Sequence, residues 1–136
     1  MSKFAIFFTL FACIILSDTK TEWDTIYTQA TYALNHSKKA LSSNNFDHQK
    51  MYSEKALKAY EKIAVLLQGY EDEEFQLKII ETISDLEHAV DAPDWDRGRF
   101  YTKRVYQKTQ DLITVLDQRS AEIAKIDQKE MPIPNN

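Results

Sequence analysis

The stretch ALSSNNFDHQKMYSEKALKAYEKIA (residues 40–64) decides the fold, because AVDAPDWDRGRFYTKRVYQKTQDLI (residues 89–113) lies on it at an offset of 49. Ala40/Ala89, Asp47/Asp96 and Tyr52/Tyr101 are identical. Other positions agree in kind: Asn45/Asp94, Phe46/Trp95, Lys50/Arg99, Met51/Phe100, Ser53/Thr102, Lys55/Arg104 and Ile63/Leu112. A unit of this size cannot bury its own apolar face and has to stack on its twin.

Outward from this block, apolar residues recur at three- and four-residue steps, which is one face of a helix. The spacing predicts a first helix over about residues 22–42, with Trp23, Ile26, Tyr27, Ala30, Ala33, Leu34, Ser37 and Leu41 on its face. A second starts at Asn45 as N-cap, buries Tyr52, Ala56, Ala59, Tyr60, Ile63, Leu66 and Leu67, and ends at Gly69 as a left-handed cap. A third opens on the acidic run 71–74, which suits the positive end of a helix dipole. Its stripe is Phe75, Ile79, Ile80, Ile83, Leu86 and Val90, and Pro93 ends it. Asp94 then caps a fourth helix to about Ile126, with Tyr101, Val105, Leu112, Val115, Leu116, Ile123 and Ile126 facing inward.

Short links make successive helices antiparallel neighbours. The expected fold is all-α: an up-down-up-down four-helix bundle of two repeated helical hairpins over residues 18–126, followed by a disordered tail, 127–136. The alternative is a TPR-like helical repeat pair. Its repeat is about 34 residues and a solenoid usually needs at least three, so the closed bundle is preferred. With 2 Gly and 3 Pro in 136 residues, there is little turn chemistry for a β-sandwich or barrel.

Residues 1–17 stand apart. Lys3 precedes an apolar run over residues 4–16, then Ser17 and a charged sequence. This is the layout of a secretory signal peptide, too short to span a bilayer as a helix. Cys13, the 1 cysteine of the chain, lies in that run. Leu10-Phe11-Ala12-Cys13 also loosely resembles a lipobox, which gives the alternative of a lipoprotein anchored through Cys13. Bulky Phe11 and the apolar Ile14-Ile15-Leu16 after the cysteine argue against it. The expected location is periplasmic or extracellular.

The formal net charge is −4, with charges mixed along the helices. Nucleic-acid binding and docking on anionic lipid both need a basic face, and none is evident. No phosphate loop, nucleophile elbow, HExxH or haem-attachment motif occurs, and no cofactor is expected. The bundle predicts that links 1–2 and 3–4 share one pole. There His36, His48 and His88 meet several carboxylates, the donor types of a transition-metal site. The repeat does not duplicate these histidines, so metal binding is the weaker reading. Phe46, Lys50, Trp95 and Arg99 sit in the repeated block at the same pole. A capped helix start explains them structurally: a cap, an aromatic over the core end, and a basic residue paired to Asp47 or Asp96 at helical spacing. Trp95 and Arg99 are also types enriched at binding hot spots. The expected function is a non-enzymatic exported helical interaction module with a possible protein partner in the cell envelope; the alternative is a small-ligand or metal-binding helical bundle.

The segments NNFDHQK (residues 44–50) and DWDRGRF (residues 94–100) resemble those of uncharacterised small exported bacterial proteins built from two related helical hairpins. The resemblance covers roughly residues 30–116. It implies a bacterial envelope or secreted location and carries no activity.

Overall fold

The computed structural model describes residues 19–130. The apolar segment 1–17 with Cys13, and residues 131–136 of the expected tail, lie outside the described residues. Four α-helices follow one another: α1 (Thr19–Ser42), α2 (Phe46–Leu66), α3 (Glu73–Val90) and α4 (Trp95–Glu130), with a 3-10 turn, Leu67–Gly69, after α2. Among the described residues there is no strand. Each helix packs on two neighbours in the ring α1–α2–α3–α4, and α4 returns to α1. That last contact closes the bundle, which an open stack of two hairpins would leave unclosed. The fold is an all-α four-helix bundle.

The helix starts form as their residues dictate. The Asn45 side chain accepts from the backbone N–H groups of Asp47 at 2.9 Å and His48 at 3.3 Å. Asp72 accepts from Phe75 N at 3.0 Å, and Asp94 from Arg97 N at 2.8 Å. Each cap satisfies a donor that the first helical turn leaves open. The end of α2 differs from the expected left-handed glycine cap, because Gly69 does not have a positive φ. The helix instead tightens into the 3-10 turn, with Tyr70 N donating to Leu67 O at 3.0 Å. Gln76 Nε2 then donates to Leu67 O at 3.0 Å and Tyr70 O at 2.6 Å. One side chain from α3 thus holds the turn that ends α2.

The core contains Ile26, Tyr60, Ile63, Leu67, Ile79, Leu86 and Val105, all nearly or fully buried. Several stripe residues lie elsewhere. Ile80 is 60% exposed, Tyr27 38%, Ile123 38% and Ile126 55%. In their stead Gln49, Ser53, Thr102 and Thr109 are buried on α2 and α4, and Thr82 on α3; the first four have one cause. The reason is the diagonal of the bundle, where α2 and α4 touch. Ser53 Oγ lies 3.5 Å from Thr102 Oγ1, and Tyr60 Oη lies 2.7 Å from Thr109 Oγ1. Gln49 sits against Gly98. Each pair is 49 residues apart, so the aligned positions of the two hairpins face each other along the axis. Small residues let the two helices approach. Their hydroxyls donate one turn back, Ser53 to Gln49 O at 2.8 Å, Thr102 to Gly98 O at 2.7 Å and Thr109 to Val105 O at 2.7 Å. Burial of these groups is tolerated because each finds a partner.

Helix α4 runs past the expected end at Ile126 to Glu130, and residues 120–130 are exposed throughout. Ile123 and Ile126 therefore stand outside the core. Among the described residues, no helix is long and apolar enough to cross a membrane.

Candidate functional site

The pole of the α1–α2 and α3–α4 links is built from the repeated block. Phe46 and Trp95 are the first residues of α2 and α4, each directly after its cap, and both are half-buried. They occupy matching places, as the aligned sequences require. The basic residues behave differently from expectation and from each other. Neither Lys50 nor Arg99 pairs with its first-turn aspartate. Lys50 Nζ lies 4.6 Å over the Phe46 ring. Arg99 Nη1 donates to Leu41 O at 3.0 Å, across the gap to the end of α1. Carbonyls of a last helical turn lack intrahelical partners and carry the negative end of the dipole, so a guanidinium within reach goes there. Arg99 ties the second hairpin to the first.

Two apolar side chains at this pole stay in water. Met51 is 38% exposed and Phe100 54%. They too are 49 apart. Phe100 packs edge-on against Tyr101 at 5.1 Å, and the Arg104 guanidinium lies 5.8 Å over its ring. The alignment paired Met51 with Phe100 but gave no reason to single them out; their absence from both core stripes was the available signal.

The histidines are not brought into one group. His36 is buried, 4.1 Å from Tyr32 in an edge-on contact and 5.9 Å from Tyr52 in a stacked one. Its Nδ1 has no hydrogen-bond partner. Burial lowers its pKa below the ordinary 6.5, and Lys39 and Lys55 add to the shift. His88 stacks on Tyr101 at 4.9 Å, and its Nδ1 lies 2.7 Å from Ser84 O. His48 is exposed. Among the described residues, no three His, Cys, Asp or Glu side chains are placed to hold a metal ion. The aligned tyrosines nonetheless carry aligned neighbours: Lys39 Nζ lies 5.8 Å over Tyr52, and the His88 ring occupies the corresponding place on Tyr101.

The opposite pole is more fixed than a single α2–α3 link suggests. The Trp23 ring lies 5.1 Å from Tyr70 and 6.0 Å from Phe75. The Arg119 guanidinium lies over both rings, 5.1 Å from Trp23 and 4.8 Å from Phe75, and pairs with Asp72. That bond holds the Asp72 carboxyl below the usual range. Tyr70 Oη donates to Glu22, and burial, with that bond, pushes the phenol up to about 12. Spacing could not reveal this cluster, since its members come from three helices and a link. It binds the start of α1 to the end of the bundle and uses its own arginine as the cation.

Asp85 is the buried acid. Its Oδ2 accepts from Arg104 Nε at 3.3 Å and pairs with Lys108 Nζ at 2.8 Å. Both cations come from α4, so the carboxylate clamps α3 to α4. The chain matches no known protein family, no curated protein and no solved structure.

Proposed function

We propose that this chain is an exported, non-enzymatic interaction module that engages a protein partner in the cell envelope through the pole of the α1–α2 and α3–α4 links. One observation carries the reading: Met51 and Phe100 stay exposed at matched places on two capped helix starts, beside the half-buried Phe46 and Trp95. Side chains held on rigid elements around links are favoured sites of recognition. Export rests on the layout of residues 1–17, and a lipid anchor at Cys13 is its variant. An origin by duplication of one hairpin is supported by the contacts between residues 49 apart. The likeness to small exported two-hairpin proteins points the same way. The non-enzymatic reading rests on the sequence, which carries no recognisable catalytic motif.

The test is capture from bacterial envelope extract with the parent and with the Lys50→Ala/Arg99→Ala and Met51→Ser/Phe100→Ser variants. All should fold, since exposed charges contribute little to stability and Met51 and Phe100 lie outside the core. The same proteins should be captured by the parent and lost by both variants. If both variants fold and capture every protein the parent captures, the pole is not the binding surface. Small-ligand binding, the second reading, is favoured by one separate feature, a crevice on the flank of the bundle.

A further inference from the structure

Helices α3 and α4 part over a crevice of about 200 Å³. Phe75 and Ile79 of α3 face Leu112 and Val115 of α4 across it, and Tyr60 of α2 with Thr82 closes the inner end. The rim carries Lys78 and Glu81 on one side, Lys108 and Asp111 on the other. Drug-sized ligands occupy sites of roughly 300–1,000 Å³, whereas an apolar cavity of roughly 150 Å³ takes up benzene. The crevice therefore fits a body of about one aromatic ring.

Its polar atoms have a consistent bias. Thr109 donates its proton to Val105 O at 2.7 Å, so the 2.7 Å contact with Tyr60 has the phenol as donor. Thr82 donates to Lys78 O at 2.8 Å. The oxygens of Tyr60 and Thr82 are thereby left with accepting lone pairs only. Burial pushes the Tyr60 phenol up to about 12, so it stays neutral at physiological pH. At the rim, Lys78 Nζ is held by Glu74 at 3.0 Å and Lys108 Nζ by Asp85 at 2.8 Å. Glu81 and Asp111 form none of the ion pairs among the described residues. What the crevice offers a visitor is an apolar slot, hydroxyl acceptors within and two uncommitted carboxylates at the mouth.

We propose that this crevice binds a small organic cation, a primary ammonium on an apolar body of about one aromatic ring. The ring lies between Phe75, Ile79, Leu112 and Val115, and the ammonium turns to Glu81 and Asp111. An anion of the same shape meets those two carboxylates and finds both rim lysines engaged. The site lies on the flank of the bundle and is independent of the binding pole.

The probes are phenethylamine and 3-phenylpropionate, which differ chiefly in the sign of the head group. Each is titrated into the parent chain and the Glu81→Gln/Asp111→Asn variant, followed by amide and methyl chemical shifts. Phenethylamine should bind with a Kd near 1 mM or below, about −4 kcal/mol, moving resonances of Ile79, Leu112 and Val115. The variant carries two surface substitutions, and its dispersed spectrum reports folding. It should bind the amine about fivefold or more weakly, as expected for two partly solvated ion pairs. 3-Phenylpropionate should bind at least tenfold more weakly than the amine. The proposal is overturned if the acid binds as well as the amine, if neither shifts the crevice resonances, or if the variant keeps the parent's affinity for the amine. The Lys50→Ala/Arg99→Ala variant should bind phenethylamine as the parent does, so a failure at the pole and a failure at the crevice are read separately.

Discussion

Replacing Gly98 by Ala tests the diagonal of the bundle. A Cβ there would stand 2.2 Å from Gln49 Oε1, 3.1 Å from Gln49 Cδ and 3.4 Å from Ala92 Cβ. Gln49 is 0% exposed, so its amide has no solvent to swing into. Its Oε1 has no hydrogen-bond partner, and its Nε2 reaches Trp95 O only at 3.5 Å. On an open helix, Gly→Ala gains ~1 kcal/mol. Overpacking a filled core costs about 1–3 kcal/mol. The net expectation for Gly98→Ala is a loss of roughly 1 kcal/mol, against the sign of helix propensity. In a Gln49→Ala background the obstructing atoms are gone, and the same substitution should stabilise by about 1 kcal/mol. The coupling between the two sites is then about 2 kcal/mol, within the range for residues in contact. Urea melts of the parent, both single variants and the double variant, followed by circular dichroism at 222 nm, measure all four corners. If Gly98→Ala stabilises equally in both backgrounds, Gln49 and Gly98 do not meet and the close α2–α4 approach is wrong.

The remaining predictions concern charge. Asp85→Asn should destabilise by roughly 1–2 kcal/mol, the cost of weakening a buried acceptor of two cations, reduced because Arg104 and Lys108 are partly solvated; an unchanged urea midpoint would remove the α3–α4 clamp. His36 has a folded pKa below its ordinary 6.5. As pH falls past 6.5 the unfolded chain takes up the proton first, so the stability this residue supplies is present above that pH and is lost on going down through the folded value. Melts of the parent at pH 7.5 and pH 5 should differ more than those of His36→Phe, and equal pH slopes would show that the imidazole is not held neutral by the fold.

The sequence alone determined the elements and their order. Period-3.6 stripes, polar caps at Asn45 and Asp94, and Pro93 are local signals, and local hydrogen bonding satisfies them wherever the helices go. The repeated block also placed Phe46 and Trp95 at matched helix starts. Tertiary packing decided what no spacing encodes. Arg99 left Asp96 for a carbonyl of α1 because that partner exists only once the hairpins assemble. Ile80 turned outward while Thr82 and Thr109 turned in, because a threonine that donates to its own helix can be buried; at Thr109 its small size also lets α4 meet α2. Helix propensity alone makes Gly98 a weak point of α4, yet it is the space into which Gln49 fits. The crevice is likewise a feature of assembly, since its lining comes from α2, α3 and α4 together. A helix carries its own periodicity in its sequence, but the distance to its neighbours is a property of all four helices together.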